Sequence, residues 1–275
     1  MSKKNQPADD PKTPLEVRSY FVRGRNALLT RADFGSLYID YYLHLMQHSL
    51  KYDSEHDQLL KDAIAALTLH LASRPQNETT AWTLNLQEPL VNVFVTGSSR
   101  SQNIVGRVFD TDVREADTNM LCSQVTSPDT ETRQSTIDFK SSDVFTGSEV
   151  YYKRSEQRPA RYFRISEEEF VMITAQPDCD LDWLKELNND AVKGLDRTEE
   201  LSLLERRYYL FECGCDITRI LNLFRAYDSD ALDGLFEEDE HLIIACPRCG
   251  ARFKVTRELV DVYLKKKRGA DEADE

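Results

Sequence analysis

Hydrophobic and polar residues follow two different periods along the first third of the chain. Over residues 15–30 the pattern is strand-like and is interrupted at Arg23-Gly24-Arg25, which predicts two strands joined by a turn. Apolar residues then recur at helical spacing over residues 36–50 and again over residues 54–74. This spacing predicts two helices, and Ser54 is expected to be the N-cap of the second.

The pattern changes to an alternation of apolar and polar residues from Ala81 onward, which is typical of antiparallel strands. The segment 123–135 is rich in Ser, Thr and Asp around Pro128, and this composition predicts a loop. The predicted strands are 82–86, 91–95, 104–109, 136–139, 162–165 and 170–175, and a helix is predicted over 143–154.

Short helical patterns dominate the last third of the chain. Asp216 and Ser229 are each expected to be the N-cap of a helix. The predicted helices are 180–187, a charged helix 198–208, 217–224, 229–236 and 256–268, and the predicted strands are 242–245 and 252–255.

Together these patterns predict the α+β class, with two domains of unequal size. The predicted parts are a disordered tail at 1–13, a large core domain of mainly antiparallel strands with helices at 14–187, a helical linker at 188–208, a small C-terminal domain at 209–266 and a charged tail at 267–275.

The charge balance and the absence of a long apolar run in the sequence narrow the function classes. The chain has 35 basic and 48 acidic residues and a net charge of −13, which argues against binding to nucleic acid phosphates. No run of about eighteen apolar residues occurs, and the polar start lacks the apolar core of a signal peptide. We therefore expect a cytoplasmic protein that binds neither nucleic acid nor membranes.

Four of the six cysteines form two close pairs, Cys213-Gly214-Cys215 and Cys246-Pro247-Arg248-Cys249. Two short loops that each donate two thiolates satisfy the tetrahedral preference of one zinc ion, and this is the reason for assigning zinc to the C-terminal domain. With sulfur at all four positions no site stays open for water, which disfavours a zinc hydrolase. Cys122 and Cys179 are isolated in sequence and are expected to be small buried apolar side chains.

The cysteine pairs allow two kinds of zinc site. One is a permanent structural site, which is the common fate of a four-cysteine cluster. The other is a redox switch, because zinc-bound thiolates are already in the nucleophilic form and an oxidant can convert close pairs to disulfides and eject the metal. The sequence pattern alone does not choose between them.

Other residue types suggest no further chemistry. The chain has no clustered nucleophile and base and no phosphate-binding glycine loop, so we do not expect an enzyme. Histidines on predicted helices are more often solvated or hydrogen-bonded than metal-bound, and no carboxylate at ligand spacing accompanies them. Four of them lie on the first two helices, at His44, His48, His56 and His70.

Three motifs, in this order along the chain, resemble the heat shock protein 33 family, the bacterial redox-regulated chaperone. Phe21-Val22-Arg23-Gly24 is similar to an Arg-Gly pair in the first strand of the family. Tyr152-Lys153-Arg154-Ser155-Glu156-Gln157-Arg158-Pro159 resembles its Tyr-x-x-Ser-Glu-Gln-x-Pro motif. The cysteine pairs, separated by thirty residues and followed by Gly250 and Phe253, resemble its Cys-x-Cys and Cys-x-x-Cys-Gly pairs.

This resemblance implies an ATP-independent holdase that is inactive while reduced cysteines bind zinc. It implies that Cys213, Cys215, Cys246 and Cys249 bind one zinc ion. On oxidation, Cys213 would pair with Cys215 and Cys246 with Cys249, and zinc would be released. The C-terminal domain and the linker would then unfold and expose apolar surface to unfolded client polypeptides, and the oxidised form would be a homodimer.

The chain also departs from the family pattern. The interval 177–213 is shorter than the usual distance from the core to the first cysteine, so the linker is truncated. Thr174-Ala175-Gln176 stands where the family has a glycine pair before Gln, and Asp216 stands where Ser is usual. We therefore expect a divergent member. The alternative is a relative with a permanent structural zinc site that acts as a constitutive protein-interaction module.

Overall fold

The computed structural model describes residues 12–237 and 239–271, with side chains described as far as residue 267. The strands are β1 (Leu15–Val22), β2 (Ala27–Asp33), β3 (Thr79–Gln87), β4 (Leu90–Ser98), β5 (Asn103–Phe109), β6 (Asn119–Ser127), β7 (Thr130–Phe139), β8 (Ala160–Arg164), β9 (Glu169–Ala175), β10 (Leu201–Phe211), β11 (His241–Ala245) and β12 (Arg252–Thr256). The helices are α1 (Gly35–Gln47), α2 (Ser54–Ala72), α3 (Val144–Arg154), α4 (Leu181–Glu186), α5 (Asn189–Lys193), α6 (Leu195–Thr198), α7 (Ile217–Asn222), α8 (Ser229–Phe236) and α9 (Arg257–Asp271), with a 3₁₀ helix at Leu223–Ala226. The chain is thus of the α+β class, as the sequence predicted.

Within the described ranges, ten strands form one sheet in the order β7-β6-β3-β4-β5-β10-β1-β2-β9-β8. Along one edge β10 is antiparallel to β1 from Leu201 to Tyr209. On its other edge β10 runs parallel to β5 at Leu210 and Phe211, next to the first cysteine pair. The strand that leads to this pair therefore joins the two halves of the large sheet.

The main hydrophobic core lies between the large sheet and helices α1, α2 and α3. The long helix α2 packs on β4 and β5, and α3 packs on β8 and on α2. Trp82, Tyr41 and Tyr209 are fully buried in this core. Because each such side chain contributes several kcal/mol when buried, roughly 3–5 for a Phe or Trp by truncation, this layer dominates the stability of the chain.

Helices α4, α5 and α6 cover the other face of strands β2, β8 and β9. A second core fills this layer, with sheet residues Val22, Leu29, Val171 and Ile173 against helix residues Leu184, Val192 and Leu195. The interval 181–198 is therefore packed on the sheet by its own apolar side chains.

The C-terminal segment forms a small module around the β11–β12 hairpin. Helices α7, α8 and α9 and the 3₁₀ helix pack around this hairpin, whose strands are antiparallel. The buried residues of this third core are Ile220, Leu221, Phe224, Leu232, Phe236, Val255 and Val260. Seven buried side chains are few for a module of this size, so it needs a further stabilising contact.

Aspartate side chains cap helices α2, α3, α4, α7 and α8. Asp216 accepts a hydrogen bond from the backbone N–H of Arg219, which confirms it as the N-cap of α7. The caps predicted at Ser54 and Ser229 are each wrong by one residue, because Asp53 and Asp228 accept the capping bonds of α2 and α8. In both cases a carboxylate precedes the serine and takes the position whose oxygen reaches the free N–H groups.

Two predicted elements are wrong. The loop predicted over 123–135 is a hairpin in which β6 and β7 pair around a turn at Pro128 and Asp129. The helix predicted over 198–208 is mostly strand β10, paired with β1 and β5. In both segments pairing with neighbouring strands overrides the local residue preference, because the sheet satisfies the backbone along the whole segment.

The predicted tails lie largely outside the described residues. Of the tail predicted as disordered at 1–13, residues 1–11 are not described, and neither are residues 272–275 of the predicted charged tail. The helix predicted over 256–268 extends as α9 to Asp271. No helix in the described ranges is long and apolar enough to cross a membrane.

Candidate metal centre

The structure brings the sulfurs of both cysteine pairs together. The Sγ atoms of Cys213, Cys215, Cys246 and Cys249 all lie within 4.8 Å of one another. Cys213 Sγ is 3.7 Å from Cys246 Sγ, and Cys215 Sγ is 3.5 Å from Cys249 Sγ. Within the part of the chain that is described, these residues form the one group of three or more His, Cys, Asp or Glu close enough to hold a metal ion.

The first cysteine loop, residues 212–216, begins where β10 leaves the large sheet. Phe211 is buried at the end of the strand, where its ring packs against those of Tyr41 and His44 on α1. Gly214 has a φ of +66°, a left-handed conformation that residues with a Cβ adopt only with strain. Asp216 then caps α7. Both cysteines are thus held between a central strand and a helix start.

The second cysteine loop, residues 246–251, begins where β11 ends. Its turn is closed by two backbone hydrogen bonds, from Cys246 N–H to the Ala251 carbonyl at 2.8 Å and from Gly250 N–H to the Cys246 carbonyl at 2.9 Å. Gly250 has a φ of +76°, and a Cβ at this position would approach Leu50 Cδ1 to 3.2 Å. The left-handed turn therefore favours a glycine here, and any larger residue would also press on the Leu50 side chain after α1.

The four thiols differ in acidity because they share hydrogen bonds with one another. Contacts from Cys213 and Cys249, together with the N–H groups of Arg248 and Cys249, lower the pKa of Cys246 well below its ordinary value. Hydrogen bonding to Cys213 and Cys246 raises the pKa of Cys249, and hydrogen bonding to Cys246 raises that of Cys213. Burial raises the pKa of Cys215 to about 12. Protein groups therefore stabilise one thiolate of the four.

A bound metal cation would allow all four thiols to ionise. Four thiolates this close together repel one another, and a central divalent cation stabilises all of them at once. The donor set consists of sulfur alone, and its sulfurs come from two short loops, which fits a tetrahedral metal ion of the kind that prefers thiolate ligands. The four cysteines could therefore bind a metal ion without rearranging either loop.

Side chains of the large sheet and α1 contact the backbone of the second cysteine loop. Arg107 Nη1 on β5 donates to the Cys246 carbonyl oxygen at 3.0 Å. His44 Nε2 on α1 lies 3.0 Å from the Cys249 carbonyl oxygen, and burial lowers the pKa of His44. Since a carbonyl only accepts hydrogen bonds, the Nε2 atom carries the proton. The sequence pattern did not predict either contact. The two partners are 139 positions apart in the chain in one contact and 205 in the other, and no local motif links residues at such distances.

The other residues that the sequence singled out lie elsewhere. Cys122 and Cys179 are half-buried, so the expectation that they are buried is wrong. Cys122 accepts a hydrogen bond from Gln134 Nε2 on the edge strand β7, at 3.4 Å. His56 lies 3.2 Å from Asp53 at the start of α2. Neither isolated cysteine belongs to the four-cysteine group.

The Ser-Glu-Gln motif lies at the end of α3, where it joins this helix to the end of α2. Tyr152 Oη is 2.8 Å from His70 Nδ1 and 3.1 Å from Ser73 Oγ. Glu156 accepts a hydrogen bond from Arg74 Nη1 at 2.7 Å. His70 is fully buried, so this histidine belongs to the core. The motif therefore stabilises the contact between two core helices, far along the chain from the cysteines.

Comparison with known proteins supports the resemblance that the motifs indicated. Residues 164–256, which include all four clustered cysteines, match the family model for Hsp33 protein. The fold is similar to that of the 33 kDa chaperonin (heat shock protein 33 homolog) of Thermotoga maritima, with a TM-score of 0.68 and 13% sequence identity. This likeness covers 93% of this chain and 99% of that chain. A search of curated proteins finds no match. The resemblance to the Hsp33 family is thus confirmed.

Proposed function

We propose that this chain is a redox-regulated, ATP-independent chaperone of the cytoplasm that holds unfolded polypeptides under oxidative stress. In the reduced state Cys213, Cys215, Cys246 and Cys249 bind one zinc ion, and oxidation releases it. The observation that carries this proposal is the four-sulfur cluster, which lies within the segment that matches the Hsp33 family model.

Zinc is the metal that the donor set favours. Four-cysteine sites with short loops are typical of structural zinc, and a fully protein-coordinated ion has no open position for a substrate or water. The site is therefore suited to holding the two cysteine loops together and not to hydrolysis. An enzymatic role has no support from this site.

The oxidation step uses a peroxide as the electron acceptor. The four thiolates lose four electrons in forming two S–S bonds, and two molecules of hydrogen peroxide take up these electrons and four protons to give four molecules of water. The zinc ion leaves because a disulfide sulfur is no longer an anionic ligand. We propose the pairing that the family resemblance implies, Cys213 with Cys215 and Cys246 with Cys249.

Loss of the ion should release the C-terminal module from the core. Binding of structural zinc contributes about 10–16 kcal/mol in small zinc modules, which is comparable to the stability of a whole domain. The module here has only a small apolar core, so it depends on this contribution. We propose that its unfolding exposes apolar surface to clients and that the oxidised chain forms a homodimer.

One experiment tests redox activation directly. The zinc-loaded protein is treated with hydrogen peroxide, zinc release is followed with a chromogenic chelator, and suppression of aggregation of a heat-unfolded client is measured before and after. We expect one zinc ion per chain to be released and suppression to appear only after oxidation. Retention of zinc, or equal suppression in both states, would contradict the proposal.

A second function is favoured by the position of β10. The short segment before Cys213 ends in an eleven-residue strand that pairs with β1 from Leu201 to Tyr209 and with β5 at Leu210 and Phe211. A strand in this position resists unfolding, because its release would split the sheet. The second candidate is therefore a permanent structural zinc site in a constitutive protein-interaction module. In the experiment above it predicts that zinc is retained and that client binding does not change.

A further inference from the structure

Two core side chains contact the loop that carries two of the four candidate metal ligands. Arg107 donates to the Cys246 carbonyl from β5, and His44 donates to the Cys249 carbonyl from α1. The two carbonyls bracket the turn that presents both sulfurs. The loop is therefore fixed at its first and last cysteine by groups that belong to the main core.

The surroundings of Arg107 show that its position is tightly defined. Its guanidinium carbon lies 4.0 Å from the centre of the Phe109 ring, and its Nε is buried without a hydrogen-bond partner among the described residues. A Cβ built on Gly250 would lie 3.9 Å from this Nε. The described residues provide Arg107 with no ion pair, so its positive charge lies beside the cysteine loop without a carboxylate partner. A cluster of four thiolates around a divalent cation carries a net charge of −2, which a nearby guanidinium offsets.

His44 and its neighbours on α1 hold the same loop from a second side. The His44 ring packs against Phe211, the residue that ends β10 before the first cysteine loop. Leu50, just after α1, lies beside Gly250 of the second loop, close enough that a Cβ at this glycine would come within 3.2 Å of Leu50 Cδ1. His44 on α1 thus touches both the residue that leads into the first cysteine loop and the backbone of the second.

We propose that His44 and Arg107 are positioning residues that control how readily the four-cysteine cluster loses its metal. This inference rests on the proposed zinc site but not on chaperone activity. A thiolate leaves a tetrahedral site only when its loop moves away, and the two hydrogen bonds oppose this movement. The core domain, and not the shortened linker alone, then sets the rate at which the cluster responds to oxidant.

The test uses the full-length zinc-loaded chain and two pairs of variants. His44→Phe and Arg107→Met keep the size of each side chain but remove the donors, whereas His44→Gln and Arg107→Lys keep one donor. Zinc release is timed with a chromogenic chelator, first in reducing buffer and then with hydrogen peroxide. Loss of one neutral hydrogen bond corresponds to about a 5-fold change and loss of a charged one to roughly 10-fold or more.

We expect His44→Phe and Arg107→Met to release zinc faster than wild type by these factors, in reducing buffer and with peroxide. His44→Gln and Arg107→Lys should release zinc at a rate within about 2-fold of wild type. His56→Phe and Arg154→Met are matched controls: His56 lies 3.2 Å from Asp53 at the start of α2, and Arg154 donates to the Asp138 carbonyl at 3.1 Å, on strand β7. Both controls should release zinc at the wild-type rate. Thermal unfolding of each variant shows whether the core itself has changed.

Release at the wild-type rate from folded His44→Phe and Arg107→Met would overturn the inference. If either variant does not load zinc, Leu50→Ala provides an independent test, because it removes the side chain that lies beside Gly250 without removing a hydrogen bond. Wild-type release from Leu50→Ala would then count against the inference. A wild-type chain that binds no zinc would contradict the proposed function, which separates that failure from this one.

Discussion

The four clustered cysteine sulfurs lie in different environments. Cys246 is the thiol whose pKa falls, because the other sulfurs and two backbone N–H groups donate to it. Its replacement by serine removes one of the four sulfur ligands, and a hydroxyl is a much poorer zinc ligand than a thiolate. We expect Cys246→Ser to lose most of its zinc, as measured by metal analysis of the purified chain. Cys122→Ser and Cys179→Ser are the matched controls and should keep one ion per chain; loss of zinc in these controls would place the metal elsewhere.

The buried histidine of the core gives a prediction about pH. Burial lowers the pKa of His70 well below its ordinary value of about 6.5. Below that pH the unfolded chain binds a proton that the folded chain does not, so stability falls as the pH falls, by up to about 1.4 kcal/mol per unit, until the folded-state pKa is reached. We expect His70→Gln to reduce the loss of unfolding free energy between pH 7.5 and 5.0, measured by urea titration. Ser73→Ala keeps the histidine and should keep the wild-type pH dependence; an unchanged dependence in His70→Gln would contradict this account.

At the level of single residues, sequence patterns identify side chains whose role depends on near neighbours in the chain. The cysteine pairs are recognisable because two cysteines this close in sequence are typical metal ligands. Asp216 is recognisable because an N-cap side chain accepts a hydrogen bond from a backbone N–H only three residues further on. His44 and Arg107 are not recognisable, because their contacts with the cysteine loop arise only when α1 and β5 are packed beside it. The two cases differ in how far apart the interacting residues lie in the sequence.

Among the elements, β10 carries the largest departure from the sequence prediction. The glutamates, arginines and leucines of residues 198–208 favour a helix locally, and this led to the prediction of a helical linker. The missed signal is the aromatic run at its end, where Tyr209 and Phe211 are buried and Tyr208 is exposed. Such alternation is typical of a half-buried strand. Likewise, the polar strand β7 lies at the edge of the sheet, where few of its side chains need to be apolar.

The position of β10 predicts unequal effects for two adjacent tyrosines. Tyr209 is fully buried and its Oη contacts Ser99 Oγ at 2.7 Å, whereas Tyr208 is 38% exposed. We expect Tyr209→Ala to cost about 3–5 kcal/mol and to lower the melting temperature by at least about 6 °C. Tyr208→Ala should change stability by less than about 1 kcal/mol. Similar effects of the two variants in thermal unfolding would mean that β10 is not a central strand.

At the scale of the whole molecule, the cysteine cluster lies where the core and the C-terminal module meet. Cys213, Cys246 and Cys249 are buried with the residues of the main core, while the module has a separate small core of its own. The order of the parts along the chain could be predicted from motifs, and the Hsp33 match confirms the resemblance. The contact between the core and the C-terminal module could not be predicted from the sequence, because it depends on side chains of α1 and β5 that belong to no motif.

Removal of zinc from the fully reduced chain tests the central claim most directly. Hydrogen exchange is compared, segment by segment, for the zinc-loaded chain, the chain stripped with a chelator under reducing conditions, and the stripped chain after zinc is added back. We expect stripping to remove protection from the two cysteine loops and from the module between α7 and β12, while α2 and β3 remain protected, and we expect zinc to restore the loss. If the stripped module stayed as protected as the zinc-loaded one, the metal would not be what holds it in place.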